Sequence, residues 1–344
     1  MRAIVRWLEL KPPRLTPAGR ESTAIDLPAV DTAHNVTSVN AMKTLARVPR
    51  LTAAIMMIAC SGLLPAAETA TPLAPAAADV FDYDRNAPLD VQEVDKQTRD
   101  DAVVRDITFV GTKAPIQAYV VTPVRGGNSL AAILYVHWLG QRETTNRTEF
   151  LNEAVALAGQ GVTSLCINAM WSAPKWYDNR VPEDDYAQAI KQVIELRRAL
   201  DLLLSQPGVD PKRVAYVGHD FGAMYGIVMG GVDRRPSAYV LMAGTPHFID
   251  WFLFARQPKA PEEYRKQLAP IDPINFVGKV APAPVFFQFA AQDEFVSADA
   301  ATRFYNAAAP RKQLATYDAH HDLQKPDVTA DRISWLMRTL QVQR

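Results

Sequence analysis

Three segments of the chain carry residue types that do covalent chemistry when they meet. The first is Gly218-His219-Asp220-Phe221-Gly222, which follows the β-rich run Val214-Ala215-Tyr216-Val217 and opens a helical pattern at residues 223–229. A Gly-x-nucleophile-x-Gly sequence between a strand and a helix sets the central side chain on a sharp, strained turn, and the flanking glycines let neighbouring backbone pass close by. The second segment, Ala291-Gln292-Asp293-Glu294-Phe295-Val296, follows an apolar run at 284–290. The third, Tyr317-Asp318-Ala319-His320-His321-Asp322, follows the last β-rich run. Nucleophile, acid and histidine therefore occur in the chain order of one catalytic triad. We read Asp220 as the nucleophile, Asp293 as the acid that orients a histidine, and His321 as that histidine, with Glu294 and His320 as the alternatives beside them.

An unperturbed aspartate has a pKa near ~3.9 and is ionised at neutral pH, so it attacks without a base to remove a proton. Attack on an electrophilic carbon would make an alkyl-enzyme ester. His321 would then be free to activate water against that ester, and backbone N–H groups would hold the charge developing on the Asp220 oxygen. A simple ester suits this nucleophile badly, because the tetrahedral intermediate expels the weakly basic carboxylate sooner than a strongly basic alkoxide. For acyl substrates the alternatives are Asp220 as a general base on water, or attack on a strained or activated acyl group.

The elements that must position these loops are legible as an alternation of short β-rich runs and longer helical patterns from about residue 103, the signature of a mainly parallel sheet covered by helices. Strands are expected at 104–110, 116–122, 131–137, 162–168, 213–218, 238–243, 285–290 and 313–317, the first two close enough to form a hairpin. The clearest helix is expected at 183–205, where Ala189, Val193, Leu196, Leu200 and Leu203 recur at spacings of three and four and place one apolar stripe against the sheet. It stops at Gln206-Pro207-Gly208. Each of the three chemical loops then falls at the C-terminal end of a strand, where open α/β sheets place their ligands.

The remainder of the sequence narrows the classes of function. The 344 residues carry 37 Lys+Arg against 37 Asp+Glu, for a formal charge of zero, and lack a basic block, which argues against nucleic acid as a partner. No Cys/His cluster has zinc spacing and no glycine-rich phosphate loop is present, so neither a metal nor another cofactor is expected. Cys166 lies in an apolar run and reads as an inert core thiol. Residues 1–41 read as an over-extended start or a disordered extension. The basic lead-in and apolar run at 42–60 have the layout of a secretory signal peptide, with Met57-Ile58-Ala59-Cys60 similar to a bacterial lipobox, so export is expected, either to the periplasm or as a lipoprotein attached to the membrane through Cys60. The Ala/Pro/Thr-rich stretch at 61–95 is expected to be a disordered linker, and 96–344 the catalytic domain.

From about residue 103 to 340 the chain resembles the dienelactone-hydrolase-like branch of the α/β-hydrolase superfamily. The resemblance implies an α/β-hydrolase fold with a mainly parallel eight-stranded sheet, helices on both faces and no large cap domain. It also implies ester or lactone hydrolysis, usually by serine or cysteine. Asp220 departs from that pattern. Its elbow resembles the G-H-D-W-G of epoxide hydrolases and haloalkane dehalogenases, with Phe221 in place of the tryptophan. His137-Trp138-Leu139-Gly140 resembles the H-G-x-G oxyanion loop, which assigns the donors to the N–H of Phe221 and of Trp138 or Leu139, with His137 as a structural residue holding the loop.

Between the strands at 238–243 and 285–290 there is room for about two short helices, at 248–255 and 261–268, rather than a cap. In the capped enzymes, cap residues hold the halide or protonate the epoxide oxygen. Their substitutes here would come from Trp138, Trp171, Trp176, Tyr177, Trp251 or Tyr264, with His219 as a wall residue, around a small organic substrate. A fold that has lost catalysis and binds a ligand is the reading from a different class, although the presence of both His321 and Asp293 is more than a binding scaffold needs.

Overall fold

Strands buried on both faces read as largely apolar runs, as do β4 (Leu130–Val136), β5 (Val162–Ile167) and β8 (Val285–Ala290), each buried along its whole length. The computed structural model describes residues 80–140, 146–254 and 257–342, which fall within one unit, Ala70–Arg344. The expected signal segment, Cys60 and most of the expected linker lie outside the described residues.

Among the described residues nine strands form one sheet in the order β1-β2-β3-β5-β4-β6-β7-β8-β9. The others are β1 (Gln92–Arg99), β2 (Ala102–Val110), β3 (Pro115–Pro123), β6 (Val209–His219), β7 (Ala238–Met242) and β9 (Lys312–Tyr317). The first three make an antiparallel meander joined antiparallel to β5, and β5, β4, β6, β7, β8 and β9 run parallel. The hairpin expected between the second and third strands is present, paired from Ala102↔Pro123 to Val110↔Pro115.

Two expectations are corrected. The sheet has a ninth strand, β1, within the segment read partly as linker, and the folded part begins before residue 96, since Phe81 is fully buried and packs edge-on against Phe276 at 6.2 Å. Strand β1 escaped detection because Gln92-Glu93-Val94-Asp95-Lys96-Gln97-Thr98-Arg99 covers no core and so shows no apolar alternation. Its charged residues suit an edge, where they discourage pairing with another chain.

The described helices are α1 (Leu151–Ala158), α2 (Trp176–Asn179), α3 (Asp185–Leu204), α4 (Phe221–Val232), α5 (Ile249–Phe252), α6 (Pro261–Leu268), α7 (Ile274–Val277), α8 (Ala298–Ala307) and α9 (Pro326–Thr339). All five stripe residues of α3 are buried, and burying each leucine is worth roughly 1.5–3 kcal/mol. Helices α3 and α4 pack together on one face of the sheet. On the other, Arg332 of α9 forms a buried ion pair with Glu153 of α1 at 2.6 Å, shared with Tyr135 of β4 and Gln288 of β8. Since β4 lies between β5 and β6, the chain winds outward in opposite directions from it, and the C-terminal ends of β4 and β6 flank the crevice where such sheets bind ligands.

Candidate active site

Strand β6 runs straight into the turn that carries Asp220. Its backbone has φ 53° and ψ −116°, a conformation that costs a non-glycine residue energy and persists only where its surroundings enforce it. The two glycines of the elbow supply that enforcement by their lack of a side chain. A Cβ on Gly218 would sit 2.4 Å from the Gly222 carbonyl, and one on Gly222 would sit 2.3 Å from the Val136 carbonyl, so helix α4 begins in direct contact with the end of β4. Asp220 N–H donates to the Met242 carbonyl at 2.8 Å, which fixes the turn against β7.

The carboxylate of Asp220 is wholly buried, and its two oxygens are not equivalent. The Leu139 N–H donates to Oδ2 at 3.1 Å, whereas Oδ1 has no hydrogen-bond partner. Burial pushes the Asp220 carboxyl up to about 7, with the charges of Asp293 and Glu149 adding to the push, against the opposing effects of His321 and the Leu139 bond. This corrects the expectation of an aspartate fully ionised at neutral pH.

The two later loops deliver an acid and a histidine as a buried pair. His321 Nδ1 is 3.0 Å from both oxygens of Asp293, while His321 Nε2 is buried with no partner. A ring nitrogen that donates to a carboxylate leaves the other free as the base. Asp293 Oδ1 also accepts the amides of Phe295 and Val296 at 2.9 and 2.8 Å. Burial raises the Asp293 carboxyl, but its bond to His321, that charge and the two amides outweigh it, and the group lies below the usual carboxylate range. The alternatives left by the sequence pair with each other instead: His320 Nδ1 meets Glu294 Oε1 at 2.6 Å in the open.

In the loop expected to hold an oxyanion, one of the two amides is already engaged. Trp138 N–H is engaged by Glu149 Oε2 at 2.9 Å, so Leu139 supplies the N–H that reaches Asp220. Phe221 is the first residue of α4 and its N–H has no carbonyl one turn back to bond, which leaves it available beside the aspartate. His137 holds the loop: its ring nitrogens meet the Trp138 carbonyl at 2.8 Å, the Ala169 N–H at 3.1 Å and the Ser172 hydroxyl at 2.9 Å.

No protein-family profile matches the chain, and no curated protein matches its sequence. Solved structures do match it. An acetyl xylan esterase from Paenibacillus sp. R4 superposes with a TM-score of 0.64 at 18% identity, over 76% of this chain and 92% of that one. Acetyl xylan esterase 1 from Thermoanaerobacterium sp. JW/SL YS485 gives 0.60 at 16%, over 78% and 92%. A Klebsiella pneumoniae protein assigned as a dienelactone hydrolase gives 0.54 at 12%, over 71% and 100%. The fold is that of the α/β-hydrolases.

Within this α/β-hydrolase fold, rings enclose His321. Trp251, Phe295, Trp138 and His219 lie with centroids 5.3, 5.1, 5.4 and 5.6 Å from it. Trp251 also packs on Phe221 at 5.6 Å, and its indole Nε1 is buried without a partner. The other aromatics named from the sequence serve as supports. Trp171 stacks on Tyr225 at 5.4 Å behind the elbow and donates to the His137 carbonyl, and Trp176 meets Phe221 edge-on at 5.7 Å. Tyr177 O–H donates to the Trp251 carbonyl and so holds α5 in place. Tyr264 O–H donates to Asp185 at 2.6 Å, within a buried cluster that includes Arg180. Sequence reasoning missed Glu149, which belongs to no motif, and gave no role to Phe295 although it lies in the segment around Asp293. Cys166 is buried, and burial raises its thiol, so it is an inert core residue.

Proposed function

We propose that the chain is a hydrolase that attacks a small organic electrophile at carbon with Asp220. The observation that carries this reading is the division of labour between the two oxygens: Oδ2 sits on the Leu139 N–H and Oδ1 is unpartnered. In the first step Oδ1 forms a bond to the substrate carbon while the bond to the leaving group breaks, and the leaving group departs with the electron pair. In the second, His321 Nε2 takes a proton from water as the resulting hydroxide adds to the Asp220 carbonyl carbon. The negative charge develops on Oδ2, where Leu139 and Phe221 are placed to meet it. Collapse expels the alcohol, which receives the proton from His321, and Asp220 is restored.

Trp251 Nε1 is the buried donor that suits the leaving atom, a role the sequence assigned to an aromatic of this region. An indole N–H donates a hydrogen bond without giving up its proton, which fits halides and other weakly basic anions. Epoxides and activated esters or lactones are the neighbouring substrate classes. The esterase neighbours and an Asp220 carboxyl near 7 favour a second reading, in which Asp220 acts as a general base on water for an acyl substrate.

The test is a panel of 1-bromobutane, styrene oxide, a lactone and p-nitrophenyl acetate with the wild type, Asp220→Ala and Asp220→Ser, together with turnover in labelled water. Carbon-centred attack puts the solvent oxygen label first into Asp220. Label that reaches product but never the protein rules for the general base. We also propose export, on the strength of the 42–60 segment; N-terminal mass analysis of the mature protein tests it.

A further inference from the structure

Glu149 lies outside both the triad and the oxyanion loop, yet it connects them through one partner. Its Oε2 accepts the Trp138 N–H at 2.9 Å and its Oε1 meets His219 Nδ1 at 2.8 Å, while His219 Nε2 lies 2.9 Å from the backbone carbonyl of His321. A carbonyl can only accept, so Nε2 of His219 carries a hydrogen and donates it. On the other side of the ring, Nδ1 is held by Glu149 Oε1. His219 is fully buried, with its ring stacked on Trp138 at 5.4 Å and 27°. One hydrogen-bonded pair thus spans the loop after β4, the end of β6 and the loop after β9.

We propose that Glu149 and His219 form a positioning dyad that sets the oxyanion loop and the catalytic histidine in register with each other. Glu149 anchors the Trp138 amide, and the next amide, that of Leu139, falls on Asp220. His219 anchors the backbone of His321 itself, which keeps the ring in its bond to Asp293. The catalytic consequence rests on the function proposed above, but the geometric role does not. The dyad ties together two loops from distant parts of the sequence, and misplacement of catalytic groups by an ångström costs on the order of 100-fold in rate.

The experiment reads geometry and turnover separately. In an Asp220→Asn background, proton NMR follows the downfield resonance of His321 Nδ1–H in its bond to Asp293. The resonance is expected in Asp220→Asn alone and with Glu149→Gln added, because a glutamine accepts from Trp138 and donates to a neutral His219. It is expected to broaden or vanish with Glu149→Ala and with His219→Phe, which keeps the ring and removes both hydrogen bonds. With Asp220 present, Glu149→Ala and His219→Phe are expected to lower kcat roughly 10- to 100-fold with little change in KM and to accumulate the covalent adduct, while Glu149→Gln stays within about threefold of wild type. If Glu149→Ala does not fold, His219→Phe carries the same comparison. Persistence of the resonance in His219→Phe, or a Glu149→Gln variant as impaired as Glu149→Ala, overturns the dyad. The expected resonance pattern in a protein that turns over none of the electrophiles upholds the dyad and rejects the proposed chemistry.

Discussion

The amide of Leu139 donates to Asp220 Oδ2 at 3.1 Å, so the donor that an ester-cleaving site would hold ready for its substrate is already engaged by the protein's own side chain. A carboxylate whose second oxygen is fixed in this way is oriented for attack through the first. In the mechanism proposed above the same oxygen becomes the oxyanion of the second step, which therefore needs no movement of the donor.

The rate of covalent-adduct formation is expected to rise with pH through about 7 and level off above it. Attack requires the ionised carboxylate, and burial holds the Asp220 carboxyl near that value. Single-turnover mass spectrometry between pH 5 and pH 9, with 1-bromobutane as probe, follows this step directly; a rate independent of pH across that range contradicts it.

Asp220→Asn is expected to be more stable than the wild type at pH 8, with the difference fading towards pH 4. The folded-state pKa of Asp220 lies above the unfolded value, so the native protein holds a proton that the unfolded chain releases. Stability is therefore fully present below the ordinary carboxylate pKa and is lost as pH rises to about 7. At about 1.4 kcal/mol per pH unit the ceiling is about 4 kcal/mol. Urea unfolding at the two pH values measures it.

Removing the base should separate the two steps. His321→Gln is expected to form the adduct and fail to hydrolyse it, so that intact mass shows a stoichiometric alkyl addition on Asp220, with turnover reduced by at least about 1,000-fold. Absence of the adduct in this variant, with wild-type activity established, would favour the general-base reading.

Trp251→Phe keeps the ring packing on His321 and Phe221 but deletes the unpartnered N–H. If that donor meets the leaving atom, kcat/KM falls by about 10- to 100-fold for an alkyl bromide, the equivalent of roughly 1–3 kcal/mol. Unfolding by urea should remain nearly unchanged, because no protein acceptor is orphaned.

Arg332→Met is expected to destabilise the fold by about 3–5 kcal/mol, since it leaves Glu153 buried and unpaired. Replacing both partners with apolar residues should recover much of that loss. The comparison is made by urea unfolding of the single and double variants.

The parts legible in the sequence were those written in short range. Apolar runs gave the eight strands from 104 onward, the spacing in α3 gave its buried stripe, and the two glycines around Asp220 announced the elbow. The choice between Asp293 and Glu294, or His321 and His320, was less visible, since neighbouring residues differ only in which side of the loop they occupy. Glu149 could not be found at all: a single acid ahead of a helix has no pattern, and its role exists only where β4, β6 and the final loop converge. The raised Asp220 carboxyl was hidden for the same reason, because the burial that causes it comes from residues spread from Trp138 to His321.

Asp220 has no accessible surface, and His321 is 2% exposed, while Phe295 against its ring is 41% exposed. In this structure the aspartate thus presents no surface to a substrate, and the chemistry proposed for it requires the aromatic wall to open. Apparent affinity is then the intrinsic affinity scaled by the open fraction. For the proposed reaction the same opening would release the product, so the tempo of turnover would belong as much to the aromatic wall as to the bond being broken.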